Sequence, residues 1–248
     1  MSDNNSFTSH FIELRSRLIK SIIFIFLIFI ISYTFAEHIY AFLVNPYAEA
    51  VKDDPTSRRL IFTALHETFI TYLKVAFFAA VFLGSPILLI QIYKFIAPGL
   101  YKKEKRFALP ILLSSIILFY IGIAFSFFVV FPLVFGFFTS VAPTGVTIMT
   151  DINRYLDFVL KLFFAFGIAF EIPIATLLLI WSGATSAANL KRKRPYVIVG
   201  CFIIGMLLTP PDIISQILLA IPMWALFELG IIFSILMKKR EEATSTPP

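Results

Sequence analysis

Long apolar runs separated by short polar clusters dominate this chain. They lie near residues 20–38, 69–95, 107–137, 155–182, 196–209 and 213–236. A helix needs about 20 apolar residues to cross the hydrocarbon core of a bilayer, and most of these runs meet that length. The pattern predicts an all-α integral membrane protein with six transmembrane helices in a single domain over 1–236. The polar residues 237–248 read as a disordered tail. The fifth run is the exception in length. Tyr196 to Leu208 offers about 13 residues, or about 20 Å of helix, against a core about 30 Å thick. Thr209-Pro210-Pro211 stops it, because a residue before proline avoids the helical region. Asp212 opens the sixth run, so the fifth and sixth read as a short hairpin.

The polar clusters orient these spans. Arg15, Arg17 and Lys20 precede the first; Lys102, Lys103, Lys105 and Arg106 lie between the second and third. Lys191-Arg192-Lys193-Arg194 precede the fifth, and Lys238-Lys239-Arg240 follow the sixth. The alternate segments hold Glu37, Glu49, Asp53, Asp54, Asp151 and Asp157 with few basic residues. By the positive-inside rule, both termini are cytoplasmic. The first run is long for a signal-peptide core and many spans follow it, so it reads as an uncleaved helix.

Composition agrees: of 248 residues, 59% are hydrophobic, well above the 45–50% usual for soluble domains, and the mean hydropathy is +0.90. The net charge of +6 is placed as a membrane topology signal and does not point to nucleic acid. One cysteine, Cys201, excludes an internal disulfide, and His10, His38 and His66 share no metal-ligand spacing. Phosphate-loop, nucleophile-elbow and zinc-protease motifs are absent from the sequence, so it reads as a non-enzyme with no metal and no cofactor.

Candidate chemistry begins with Glu171, inside the run FGIAFEIPIATLLLIW. A carboxylate at membrane depth costs roughly 2.5 to 3.5 kcal/mol on insertion scales, which makes a functional role the default reading. Gly167 lies one turn earlier, and Pro173 removes the donor for the carbonyl of Ala169. The alternative is a neutral Glu bonded to a neighbouring helix. Prolines 86, 110, 132, 173 and 222 predict kinked spans that form a shaped wall. On the cytoplasmic side, Ser9–Arg17 reads as a short amphipathic helix with Ser9 as its cap. Glu13 there is spaced i,i+4 from Arg17, the spacing of an intrahelical ion pair. Glu13 and Glu104 together could receive two positive charges. Thr209, Asp212, Ser215 and Gln216 cluster at the hairpin, with Asp212 placed as a cap. Glu228 and Gln91 read as interhelical bonds.

Four segments resemble the TatC family of twin-arginine protein translocases. They are HFIELRSR (10–17), FIAPGLYKKE (95–104), FGIAFEIP (166–173) and TPPD (209–212), in the family's order across about residues 8–236. The resemblance implies a cup-shaped bundle that binds twin-arginine signal peptides of folded cargo. It also implies work with the single-span partners TatB and TatA, with other TatC copies and with membrane lipids, driven by the proton-motive force across the bacterial cytoplasmic membrane. Glu13 and Glu104 would accept the paired guanidinium groups, assisted near Phe95. Glu171 would face the concave side, while Met206, Thr209 and Gln216 would meet a partner helix. Pro210, Pro211 and Asp212 would shape the outer tip. The rival reading is a proton-coupled secondary transporter with Glu171 as relay; a purely structural subunit is the third.

Overall fold

The computed structural model describes residues 3–50, 60–96, 108–141, 150–209 and 212–245. The described chain is almost wholly helical. Five stretches are long and apolar enough to cross a membrane: Arg15–Thr34, Glu67–Lys94, Leu109–Phe138, Ile152–Trp181 and Ile213–Leu236. A sixth apolar helix, Arg194–Leu208, is shorter. Contacts divide the chain into two compact units: residues 1–44 with 62–99, and residues 45–61 with 100–248.

The first unit is built on α1 (Asp3–Thr34) and α3 (Glu67–Ile96). Helix α1 starts well before Ser9, which is therefore an interior residue and not a cap. The amphipathic segment and the first span are one continuous helix. Phe35 interrupts it, and α2 (Ala36–Ala50) follows at once in a stretch expected to be loop. The entry to α3 is closed by Glu67, whose two carboxylate oxygens accept from the Thr63 backbone N–H and hydroxyl, both at 2.7 Å. Small residues Ala76, Ala80, Gly84 and Ser85 are buried along α3. A Cβ on Gly84 would lie 3.1 Å from Ile25 of α1, so the two backbones approach closely, as membrane helices do through small residues.

The second unit holds α4 (Ala108–Phe125), a π-helical turn (Ser126–Val130), α5 (Phe131–Ser140), α6 (Ile152–Ala169), α7 (Ile172–Trp181), α8 (Ala187–Arg192), α9 (Arg194–Leu208) and α10 (Ile213–Ser245). Two spans break at prolines expected to kink them, and one departs from the expectation. The third passes from α4 to α5 through the π turn, ahead of Pro132. The fourth is two helices, α6 and α7, because Pro173 cannot continue the ladder. The sixth is not short: its apolar stretch has 24 residues and the helix continues to Ser245, past the expected end at 236. Only the fifth is short.

Aromatic packing fills the interior of this unit. Phe131 stacks on Phe163 with centroids 5.1 Å apart, and Phe135 leans on Tyr155 at 5.5 Å. Tyr47, at the end of α2, meets Tyr155 edge-on and donates its hydroxyl to Thr150 at 3.1 Å. Ile61 and the segment before α6 exchange two backbone hydrogen bonds, and Asp151 caps α6 by accepting from the Arg154 N–H at 2.9 Å. Gly183, with φ of 72°, ends the fourth span in the left-handed conformation that favours glycine.

Candidate functional site

Glu171 occupies the joint between α6 and α7. Its own N–H bonds the Ile168 carbonyl at 3.0 Å, a tightened turn, and its carbonyl accepts from the Ala175 N–H at 2.8 Å. The proline two residues on supplies the break and the glutamate stands beside it. Helix α4 passes close by: Ser115, itself buried, donates its hydroxyl to Glu171 Oε2. The other oxygen, Oε1, is buried with no hydrogen-bond partner among the described residues. A buried polar atom left unsatisfied costs about 1–3 kcal/mol, so this joint holds an acceptor that only a further polar group would satisfy.

Close backbone approach fixes the joint from two sides. A Cβ on Gly122 of α4 would fall 2.5 Å from the Phe166 carbonyl oxygen, and one on Gly167 would fall 2.8 Å from the Phe119 ring. On the other side, a Cβ on Gly230 of α10 would collide with the Thr176 hydroxyl and lie 2.9 Å from Pro173 Cα. Thr176 in turn donates to the Pro173 carbonyl at 2.8 Å. The carboxyl therefore sits on a tightly packed frame.

A second group lies where α9 meets α10. Thr209 ends α9; its N–H and its hydroxyl both donate to the Gly205 carbonyl at 2.9 Å, and the residue is buried. Gly205 faces the backbone of Gln216, whose carbonyl oxygen would lie 3.4 Å from an added Cβ. Met206 is exposed and Gln216 half-buried. Asp212 Oδ1 accepts from the Ser215 N–H at 2.7 Å, the geometry of a helix N-cap. Its second oxygen and the buried Ser215 hydroxyl have no partner among the described residues. Pro210 and Pro211 lie outside the described residues. Farther along α10, Glu228 forms the interhelical bond expected of it: Arg194 Nη2 donates to Glu228 Oε2 at 2.5 Å. Arg194 was legible only as an orienting charge.

In the first unit, Glu13 and Phe95 lie on the helical backbones of α1 and α3, with side chains outside the described residues, and Glu104 lies wholly outside them. The structure thus brings together Met206, Thr209, Asp212 and Gln216, and it places Glu171 at a separate joint of the same unit. Ser115, which sequence reasoning did not single out, is the residue that holds Glu171. Among the described residues, no three His, Cys, Asp or Glu side chains gather as metal ligands.

The sequence matches the Sec-independent protein translocase protein (TatC) family over residues 9–222. The chain belongs to the TatC family. It is 51% identical over 238 residues to a Sec-independent protein translocase protein TatC of Azotobacter chroococcum mcd 1, covering 96% of this chain and 92% of that one. It is 49% identical over 234 residues to that of Escherichia coli strain K12, covering 94% and 90%. The crystal structure of a twin arginine translocase receptor, TatC, superposes with a TM-score of 0.82 at 37% identity, covering 92% of this chain and 98% of that one. As a TatC-family member with several apolar spans, the chain is a multi-pass bacterial membrane protein of the twin-arginine translocase, a protein-transport subunit and not an enzyme.

Proposed function

We propose that this chain is the signal-peptide receptor of its translocase, with N- and C-termini on the cytoplasmic side. The observation that carries the reading is the likeness, along nearly the whole chain, to a solved translocase receptor. The chemistry supports it. Arginine offers a rigid fork of donors matched to carboxylate, so two arginines favour two acidic acceptors at a defined spacing. Glu13 and Glu104 supply these acceptors, with the segment near Phe95 assisting.

The α9–α10 junction is the docking face for the single-span partners TatA and TatB. Exposed Met206 and half-buried Gln216 offer the contact, and Thr209 supports it from beneath, its hydroxyl being committed to Gly205. Glu171, with one oxygen unsatisfied, receives a polar group from an inserted helix or signal segment. The proton-motive force drives cargo movement. Helix α9 has 15 residues, so at about 1.5 Å per residue it falls short of a core about 30 Å thick, and the bilayer thins beside it.

In-vivo export of a folded reporter with an Arg-Arg signal tests the receptor role. Export should fall below detection in Glu13→Ala/Glu104→Ala with normal levels of the chain in the membrane. Normal export in that double variant would overturn it.

A further inference from the structure

A receptor for two guanidinium groups can least tolerate a cation of its own at the binding face, because like charges repel. Yet Arg17 lies one helical turn from Glu13. The structure shows where that guanidinium is held. Arg17 Nη1 donates to the side-chain oxygen of Gln91 at 3.3 Å, linking α1 to α3 across 74 residues of sequence, and both residues are half-buried. One turn farther into α1, buried Ser21 donates its hydroxyl to the Arg17 carbonyl at 3.1 Å. Beyond it the helices close on each other at Gly84 and Ile25.

The register gives this bond its meaning. Glu13 stands four residues before Arg17 on α1, and Phe95 stands four residues after Gln91 on α3. Four residues is one helical turn, about 6 Å of rise. The Arg17–Gln91 bond therefore closes the α1–α3 seam one turn short of both residues assigned to the signal peptide.

We infer that Arg17 and Gln91 are a positioning pair for signal-peptide recognition, a role that rests on the receptor reading above. The pair sets the spacing between the turn of α1 that carries Glu13 and the end of α3 that carries Phe95. It also ties one nitrogen of the Arg17 guanidinium to the seam. A neutral amide suits this task. It accepts from the guanidinium without placing another carboxylate where it would compete with Glu13 for the incoming arginines.

The test is binding of a fluorescent Arg-Arg signal peptide to membrane vesicles bearing the full chain, together with export at saturating cargo. Gln91→Met keeps the side-chain length and removes the acceptor. It should raise the half-saturating peptide concentration about tenfold, the size of one hydrogen bond to a charged group, and leave export at saturation unchanged. Arg17→Met combined with Gln91→Met should bind no worse than the weaker single variant. An unshifted half-saturation in Gln91→Met, with Glu13→Gln clearly weakened, would overturn the positioning role and leave the receptor reading intact. Loss of maximal export without a shift in half-saturation would also overturn it, since that marks a structural effect alone. If Glu13→Gln binds normally as well, the receptor reading itself fails.

Discussion

Gly122→Ala probes the frame around Glu171 with the smallest possible change. The added methyl would sit 2.5 Å from the Phe166 carbonyl oxygen, 3.0 Å from its carbonyl carbon and 3.1 Å from Phe170 Cβ. Two of these neighbours are backbone atoms and cannot rotate away. Reaching an ordinary contact of 3.4 Å requires α4 and α6 to separate by roughly 0.9 Å at this level. Overpacking of this kind costs about 1–3 kcal/mol, from which the gain in helix propensity of Ala over Gly returns about 1 kcal/mol. Gly200→Ala is the matched control, because an added Cβ there meets nothing within 4 Å. Thermal aggregation in detergent should show Gly122→Ala destabilised and Gly200→Ala unchanged or slightly stabilised. Export should fall in Gly122→Ala, since the displacement carries Ser115 away from Glu171. Equal stability of the two variants would refute the close-approach argument.

Other perturbations follow from single contacts. Ser115→Ala removes the one hydrogen bond that the Glu171 carboxyl makes among the described residues, and it should cost about 1–3 kcal/mol in the same assay while Ser114→Ala costs little. Asp212→Ala deletes the cap of α10 and should cost about 1 kcal/mol, with Asp212→Ser restoring most of it. Arg194→Ala leaves Glu228 without its cation. Because Arg194 is 43% exposed, the expected loss is reduced to about 1–2 kcal/mol, and a second change, Glu228→Gln, should recover part of it.

Most of the spans were legible because a bilayer fixes their length and no other environment does. The short fifth helix followed from Pro210 and Pro211. Helix α2 was missed for a physical reason: AEHIYAFLVNPYAEA is too short and too polar to cross, and Pro46 argues against a helix. The sixth helix was misjudged as short because it was read as half of a short hairpin, yet its backbone continues to Ser245. Pro173 announced a break near Glu171, but nothing in the run LPILLSSIILF says which of its two serines turns toward the carboxyl. That choice depends on how α4 rotates against α6, which Gly122 sets. The polar amide of Gln91 stood out in its apolar run as an interhelical bond. Its partner, 74 residues away, did not.

The receptor assignment is tested most directly by equilibrium binding of a synthetic Arg-Arg signal peptide to the full chain in lipid nanodiscs, against a Lys-Lys peptide of otherwise equal sequence. The account predicts tight binding of Arg-Arg, weak binding of Lys-Lys, and loss of that discrimination in Glu13→Gln and in Glu104→Gln. Undiminished preference for Arg-Arg in both variants would contradict it.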